Sequence, residues 1–285
     1  MDPFARHIAA CNNLSSPAGH LPFRIGEAQV GWLEPDAARV LTTRPRDVHF
    51  DSRGVALASR LRGSAARTEA LAGIAAALAG AGYGRIRGEA FDVRATPEGP
   101  VLATVDRGAL PALGIISQGV HVNGLVRRPP GPDGGLHLWV GWRAKDKAVA
   151  PGQIDNVVAG GIPAGYDAER CLVKEAEEEA SLPPTLAATA RRAGRVSYVM
   201  RTEEGMRRDV LHLYDLDLPE EVTPKPNDDE VERFELWPIA RVLERVRDTG
   251  DVKFNVNLVL LDLFLREGLV GDPDGSLRAG LDQIG

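Results

Sequence analysis

Cysteine is scarce in this chain, and long apolar runs are lacking. Among the 285 residues only Cys11 and Cys171 are cysteines, too few for a zinc ribbon or a disulfide framework, so we expect a reducing compartment, the cytoplasm. The longest apolar run, residues 70–81, is rich in alanine and glycine and falls well below the ~20 residues that span a bilayer. The first residues also lack the apolar core of a signal peptide. We therefore expect no membrane partner.

An excess of positive charge is lacking too. Lys and Arg number 34 against 40 Asp and Glu, the formal net charge is −6, and the basic residues are scattered. Proteins that bind nucleic acid through its phosphates usually carry a clustered basic surface, so this balance excludes nucleic acid as the main partner. What is present, 44% hydrophobic and 26% charged residues, is the composition of a globular protein.

The chain is long enough for two domains of the usual ~100–200 residues. We predict an α+β domain over residues 1–112 and a second domain over residues 113–285. In the first, the patterns predict a helix at 4–11, strands at 29–33 and 55–61, a helix with Ser64 as its N-cap that buries Leu71, Ile74 and Leu78, and a strand pair at 91–95 and 101–105.

The second domain shows a different order of elements. The patterns predict strands at 119–126 and 136–142 around a turn at 129–135, strands at 196–200 and 210–216 around an exposed charged turn at 201–208, an acidic loop at 219–230, a last strand at 231–237, and helices at 239–247 and 252–267. The last helix carries its apolar residues on one stripe.

One segment of the second domain carries the chemical signal. A glycine-rich loop is followed by a helix predicted over residues 169–182. On this helix Glu175, Glu178 and Glu179 share one face through i, i+3, i+4 spacing, whereas Glu177 points away. The core-facing stripe would consist of Leu172, Val173, Ala176 and Ala180.

Three carboxylates on one helix face repel each other unless a cation lies among them. Mg²⁺ prefers oxygen ligands and keeps several waters, which suits a site shared between carboxylates and substrate phosphates. The glycine loop lets a backbone carbonyl, that of Gly160, approach the same ion. A Glu-rich stretch alone is more often a solvated helix face, but its combination with the glycine loop favours a metal site.

These residues resemble the Nudix box, the signature of the Nudix hydrolases. The family pattern is a glycine, five residues, a Glu, seven residues, then Arg-Glu-apolar-x-Glu-Glu-x-Gly-apolar. Gly161 opens the pattern here and residues 174–182 close it. The resemblance implies a Mg²⁺ site, in which Mn²⁺ would substitute. Its ligands would be Gly160 through its carbonyl, Glu178, Glu179, and Glu175 as a further ligand or as the base.

The chain departs from the pattern at four points. The loop after Gly161 is one residue short, Tyr166 occupies the first Glu position, Lys174 replaces the Arg, and Ser181 replaces the late Gly. In the family the first Glu and the Arg brace the helix through an ion pair, so these changes affect support more than the metal cluster. Every Glu position that would hold metal is filled, and we expect activity.

Further segments resemble one subgroup, the Nudix proteins related to thiamine pyrophosphokinase. These segments are residues 119–124, 155–161, 174–180 and 226–232. The subgroup carries an N-terminal domain of its own, so the resemblance covers nearly the whole chain. It implies hydrolysis of damaged, oxidised thiamine diphosphates to monophosphates.

Several residues outside the helix are further candidates. Glu230 starts a strand after a loop, where many Nudix enzymes supply a base or an extra ligand; the alternative is an acidic loop in solvent. His121 and Asn123 alternate along one strand and so face the same way, towards the substrate's ring, although a structural His is at least as frequent. Arg143 and Lys147 would pair with the diphosphate, against the alternative of solvated surface charges.

The predicted fold is the Nudix α/β/α sandwich with a mixed sheet, preceded by a smaller α+β domain. The predicted function is Mg²⁺-dependent hydrolysis of a small-molecule diphosphate by an activated water, which Glu175 or Glu230 deprotonates. Two alternatives remain: pyrophosphate cleavage of a nucleotide derivative such as ADP-ribose or a dinucleotide, and a non-catalytic ligand-binding module. The sequence leaves open whether the chain forms a homodimer.

Overall fold

The computed structural model describes residues 2–14, 16–132, 134–147, 149–227 and 229–284. The N-terminal part contains α1 (Ala5–Cys11), β1 (Leu21–Ile25), β2 (Ala28–Leu33), α2 (Pro35–Val40), a 3-10 helix (Leu41–Thr43), β3 (Val48–Asp51), β4 (Gly54–Leu57), α3 (Ser64–Gly80), β5 (Ala90–Val93), β6 (Ala103–Asp106), a second 3-10 helix (Arg107–Ala109) and α4 (Leu110–Leu113). The remainder contains β7 (Ile116–Arg128), β8 (Gly135–Arg143), β9 (Ile154–Asp155), β10 (Val158–Gly161), α5 (Ala168–Ala180), α6 (Pro184–Ala187), β11 (Arg191–Thr202), β12 (Gly205–Asp217), β13 (Val231–Pro238), α7 (Ile239–Asp248), α8 (Val256–Arg266) and α9 (Ser276–Gly280).

The N-terminal part is α+β, as predicted. Its larger sheet has the order β2-β1-β4-β3, and β5 pairs with β6 in the predicted hairpin. Leu71, Ile74 and Leu78 of α3 are fully buried against this part's core, which confirms the predicted helix face. Ser64 is the first helical residue rather than the N-cap, which is Gly63 without a side-chain cap.

The first helix packs on the other part of the molecule. Phe4 and Cys11 belong to the core that surrounds α8, and the Phe4 ring meets Phe264 edge-on at 6.3 Å between centroids. The His7 ring nitrogen Nε2 lies 2.7 Å from the carbonyl oxygen of Val246. The predicted domain boundary between residues 112 and 113 stays a prediction. Helix α1 lies at the start of the chain but packs in the core of the C-terminal part.

The second part is built on a mixed sheet with the order β11-β12-β7-β8-β13, to which β10 and β9 add short pairings with β7 and β8. β7 runs parallel to β12 and antiparallel to its other neighbours. Val120 and Val122 of β7 pack against α5 on one face. Leu125 belongs to the core with α8 on the other face. This is the predicted sandwich of helices on both faces of a mixed sheet.

Three predicted boundaries were wrong. The strand predicted at 55–61 is β4, which ends at Leu57. The exposed charged turn at 201–208 is a two-residue turn at Glu203 and Glu204, because β11 and β12 keep pairing up to Thr202 opposite Gly205. The last long helix begins at Val256, since Val252 bridges to Ile154 instead, and residues 256–264 are buried all round rather than on one stripe.

The predicted loops agree with the structure in outline. The segments around residues 129–135 and 219–230 contain no strand or helix among their described residues, apart from the start of β8 at Gly135. Asp133 and Asp228, which fall within these predictions, lie outside the described residues. In the described ranges, no helix is long and apolar enough to cross a membrane.

Candidate active site

Helix α5 presents the acidic face that the sequence predicts. The Asp167 carboxylate caps its first turn by accepting the Arg170 N–H at 2.7 Å. Leu172, Ala176 and Ala180 are buried in the core beneath the helix. Glu177 is exposed on the far side, as expected from helical periodicity.

Gly160 makes the approach of Glu175 to the loop geometrically possible. A Cβ on Gly160 would lie 2.5 Å from Cγ and 2.8 Å from Oε2 of Glu175, closer than real carbon contacts allow. Counted from Gly160, five residues precede Tyr166 and seven separate Tyr166 from Lys174, which is the full spacing of the Nudix box. The interpretation of Gly161 as the opening glycine, with a shortened loop, was therefore wrong.

Lys174 supplies a positive charge between two of the carboxylates. Its ammonium lies 3.1 Å from Oε1 of Glu175 and also contacts the half-exposed carboxylate of Glu178. Burial raises the pKa of Glu175, and the Lys174 ammonium opposes that rise. The position where the family pattern has Arg thus holds a cation that pairs with the helix's own acidic face.

Glu179 is the buried member of the acidic face, with 7% of its surface exposed. Its Oε2 accepts the backbone N–H of Ala159 at 2.9 Å. Burial raises the pKa of this carboxylate well above its usual value, and the nearby charges of Glu175 and Glu230 add to the rise. Within the described ranges no three His, Cys, Asp or Glu side chains are grouped as metal ligands. Lys174 contacts the Glu175 carboxylate, and the Ala159 N–H contacts that of Glu179.

A cavity of about 320 Å³ opens beside the loop, between the two parts of the molecule. Gly160 forms part of its wall and is also the residue that the Glu175 side chain approaches, whereas no carboxylate of α5 is among the described lining residues. Glu204, Asp209 and Glu230 are the carboxylates among its described lining residues. Its cationic lining residues are Arg87, Arg107, Arg143, Lys147, Arg207, Arg208 and Lys253. Positive charge therefore predominates where a phosphate-bearing molecule would lie.

The structure brings Glu230 to the acidic helix and pairs it with another predicted residue. Lys147 Nζ lies 3.1 Å from Oε1 of Glu230, and both line the cavity. The charge of Glu230 contributes to the raised pKa of Glu175 and of Glu179. Glu230 and Gly160 line the same cavity although they lie 70 residues apart in the chain.

Arg143 is neither solvated nor free. Its Nη1 donates to Oδ2 of Asp155 at 2.8 Å, and Lys253 Nζ lies 2.9 Å from the same oxygen. Burial works to raise the pKa of Asp155, but Lys253, His121 and Arg143 together lower it to about 2. Arg143 lines the cavity as part of this buried ion cluster.

A chain of hydrogen bonds determines which ring nitrogen of His121 carries the proton. The Asp215 carboxylate accepts a hydrogen bond from Arg266 at 2.6 Å and, being ionised, has no hydrogen to donate. The group of Asn123 that faces it at 2.9 Å is therefore the amide nitrogen, which donates. The Asn123 oxygen then accepts from the Asn156 nitrogen at 2.9 Å. The Asn156 oxygen is left to accept from Nδ1 of His121 at 2.8 Å. His121 is thereby set in the tautomer with its proton on Nδ1.

His121 consequently offers an acceptor to the cavity. Burial lowers its pKa to about 4, so the ring is neutral near pH 7, and no described residue is hydrogen-bonded to Nε2. His121 lines the cavity, whereas Asn123 is fully buried and uses both ends of its amide. The prediction that both face one way is confirmed by their shared partner Asn156, but the prediction that Asn123 contacts substrate was wrong.

Sequence reasoning missed the cavity's other cations. Arg207 and Arg208 were assigned to an exposed turn, and β12 instead carries them into the cavity wall. Arg87 and Arg107 come from the N-terminal part, and no local pattern marks them. Cys171 is buried, and burial raises the pKa of its thiol to about 12, which disfavours a role as a nucleophile.

The comparisons with known proteins agree with this architecture. A family model described as the NUDIX domain matches residues 118–255, and one described as a domain of unknown function (DUF4743) matches residues 3–117. The thiamine pyrophosphokinase subgroup is not among these findings.

Two plant proteins and one solved structure resemble the chain. Nudix hydrolase 20, chloroplastic, of Arabidopsis thaliana is 36% identical over 278 residues, covering 94% of this chain and 73% of the relative. Nudix hydrolase 24, chloroplastic, of the same plant is 35% identical over 271 residues, with coverage of 94% and 73%. The crystal structure of DR0079 from Deinococcus radiodurans has a TM-score of 0.45 and 21% identity, covering 61% of this chain and 98% of that one. The identity to the plant proteins along almost the whole chain shows that this protein belongs to the Nudix hydrolase family.

Proposed function

We propose that the protein is a metal-dependent hydrolase that cleaves damaged, oxidised thiamine diphosphates to their monophosphates, with Mg²⁺ as its ion and Mn²⁺ as a substitute. The observation that carries the diphosphate chemistry is the junction at Gly160, where the acidic face of α5 meets a cavity lined mainly by cations. Carboxylates bind hard metal ions and guanidinium groups bind phosphates, so this junction suits a diphosphate and its metal together.

The residues present fit a hard divalent cation. Gly160, Glu175, Glu178 and Glu179 would hold it with oxygen atoms. The Lys174 ammonium already lies between the carboxylates of Glu175 and Glu178, so positive charge is accommodated there. Glu179 is a buried carboxylate whose ionised form lacks a cationic partner among the described residues, and a bound cation would offset its burial.

The metal, when bound, supplies charge neutralisation at the phosphates and acidifies a bound water. Glu175 or Glu230 accepts the proton of the attacking water, and the raised pKa of Glu175 brings its basicity nearer to neutral pH. The water oxygen forms a bond to phosphorus as the bond to the bridging oxygen breaks. Inorganic phosphate and the monophosphate ester are released. Lys147 and Arg143 lie in the cavity wall, where they would attract the phosphates.

The organic part of the substrate is suggested by His121. Its neutral ring offers an acceptor to the cavity, which would receive an N–H such as that of the thiamine aminopyrimidine. The subgroup resemblance of residues 119–124, which include His121, supports the same assignment.

Product analysis by liquid chromatography tests the proposal. The protein is incubated with Mg²⁺ and, separately, with oxidised thiamine diphosphates, intact thiamine diphosphate, ADP-ribose, NADH and nucleoside triphosphates. Glu178→Gln is assayed in parallel with Glu177→Gln, whose side chain is exposed on the opposite side of the same helix. We expect monophosphate from the oxidised thiamine compounds, a loss of at least ~100-fold in Glu178→Gln, and little change in Glu177→Gln.

Other outcomes would change the conclusion in defined ways. Turnover of ADP-ribose or a dinucleotide alone would keep the metal chemistry and refute the thiamine substrate. Equal activity of Glu178→Gln and wild type would refute the metal site. If no compound is hydrolysed and calorimetry detects no carboxylate-dependent Mg²⁺ binding, we would conclude that the chain is a ligand-binding module.

A further inference from the structure

The N-terminal part packs directly on the glycine loop. The backbone N–H of Ala164, within the loop, donates to the carbonyl of Ala90 at the start of β5, at 2.8 Å. A Cβ on Gly161 would lie 2.7 Å from Cζ of Phe91, so only glycine lets the ring approach the loop this closely. The loop beside the acidic helix is therefore in close contact with β5 of the N-terminal part.

This contact brings a guanidinium to the loop. The Arg107 guanidinium carbon lies 3.7 Å from the Cβ position of Gly161 and 5.5 Å from the centroid of the Phe91 ring. Its Nη1 donates to Glu89 Oε2 at 2.8 Å. The Phe91 ring and the Glu89 carboxylate hold the Arg107 side chain beside Gly161, the residue after Gly160, and Arg107 lines the cavity there.

Arg87 and Arg208 are two of the other guanidinium groups that line the same cavity. Arg87 precedes β5, and its Nη2 lies 3.9 Å from Oε1 of Glu204. Burial and then the charges of Arg85 and Arg107 lower the pKa of Arg87, and the charge of Glu204 opposes that fall. Arg208 donates to the carbonyl of Gly114 at 3.3 Å, and burial lowers its pKa.

Guanidinium groups that line one cavity repel one another, and an anion bound between them offsets that repulsion. A guanidinium matches the oxygen atoms of a phosphate with two parallel donors, so a cluster of three suits a phosphate well. Leu110 and Leu211 lie in the same wall and would contact the uncharged part of a bound molecule.

We propose that Arg107, Arg87 and Arg208 form a phosphate subsite shared between the two parts of the chain, so that the N-terminal part completes the substrate site. This subsite takes one phosphate of the substrate, on the side of the glycine loop that Phe91 and Arg107 contact. The proposal deepens the proposed function and rests on it for the identity of the substrate as a diphosphate. It assigns a role to the N-terminal part, which has no function of its own in the sequence pattern.

Binding of inorganic pyrophosphate to the metal-free full-length protein tests the subsite without requiring catalysis. Calorimetry compares wild type, Arg107→Gln, Arg107→Lys and Arg39→Gln. Arg39 is an exposed arginine of the same part, paired with Asp36 on α2, and serves as the matched control. We expect Arg107→Gln to weaken binding by ~10–100-fold, Arg107→Lys to weaken it less, and Arg39→Gln to match wild type.

Steady-state kinetics with the substrate that wild type cleaves fastest test the subsite a second time. Removal of a phosphate contact that is made equally in ground and transition states raises KM more than it lowers kcat. We expect that pattern for Arg107→Gln and for Arg208→Gln. Unchanged pyrophosphate affinity and unchanged KM in Arg107→Gln would overturn the subsite. Pyrophosphate binding that depends on Arg107 in a protein with no hydrolytic activity would preserve the subsite and refute the proposed function.

A measurement on the wild-type protein covers the case in which a variant does not fold. Phenylglyoxal modifies accessible arginines, and peptide mass spectrometry reads the extent of modification at each one. We expect pyrophosphate to protect Arg107 at least ~5-fold and to leave Arg39 unprotected, given a bidentate phosphate contact. Equal modification of Arg107 with and without saturating pyrophosphate would contradict the proposal.

Discussion

Substitution of Gly160 by alanine gives a sharp test of the site, because the structure defines which atoms must move. The added Cβ would lie 2.5 Å from Cγ, 2.6 Å from Cδ and 2.8 Å from Oε2 of Glu175. Every one of these atoms belongs to the Glu175 side chain, so the helix backbone need not shift. Gly160 does not have a positive φ, and alanine therefore introduces no backbone strain there.

The size of the effect follows from these distances. Ordinary carbon contacts begin near 3.4 Å, so Cγ of Glu175 must move by about 0.9 Å from its present 2.5 Å approach, and the carboxyl group attached to it moves as well. A misplacement of about 1 Å at a reacting group costs on the order of 100-fold in rate. Overpacking of this kind destabilises a protein by about 1–3 kcal/mol. We expect kcat/KM to fall by ~100-fold while the protein remains folded.

The assay is hydrolysis of the diphosphate that wild type cleaves fastest, together with thermal unfolding of both proteins. Gly271→Ala is the matched control, because nothing lies within 4 Å of its Cβ position and its φ is not positive. Activity of Gly160→Ala within ~3-fold of wild type would refute the argument that Glu175 must lie against the loop. The same loss in Gly271→Ala would show that the effect is not local.

Three further predictions concern buried polar groups. Burial raises the pKa of Glu179, so the folded wild type binds a proton that the unfolded chain releases, and its free energy of unfolding falls as pH rises above 4.5. Without metal, the free energy of unfolding of Glu179→Gln should therefore equal or exceed that of wild type above pH 5. The variant should also lose the rise in melting temperature that metal produces in wild type. A loss of more than ~1 kcal/mol in metal-free Glu179→Gln would contradict this. Nitrogen-15 NMR should find the His121 proton on Nδ1 at pH 6–8, and a proton mainly on Nε2 would refute the hydrogen-bond chain from Asp215. Asp155→Asn should lower the free energy of unfolding in urea by about 3–5 kcal/mol, since it leaves Arg143 and Lys253 without their shared carboxylate; a loss under ~1 kcal/mol would show that the cluster relaxes.

Helical periodicity was sufficient for the acidic helix. Spacing alone predicted that Ala176 and Ala180 are buried and that Glu177 is exposed, and the structure agrees. The reason is that a regular helix places side chains at known angles, whatever packs against it. Periodicity did not predict that Glu179, at the edge of the acidic face, turns inward to the Ala159 N–H.

Strand pairing decided what local patterns could not. Arg207 and Arg208 have the composition of an exposed turn, but they belong to β12. The pairing of β11 with β12 continues as far as Thr202 opposite Gly205. Asn123 has the alternation of a cavity-facing residue, but its neighbours Asn156 and Asp215 enclose its amide. In both cases the partners lie far along the chain, where a local window does not reach.

The sequence by itself determined the family, the sandwich fold and the acidic helix with its glycine loop, because those features depend on residues close together in the chain. Only the tertiary structure brought Glu230 towards that helix, set His121 as an acceptor and placed Arg107 beside Gly161. These arrangements depend on how distant segments pack against each other, and hydrophobic packing of that kind leaves no mark on the spacing of the charged residues it brings together.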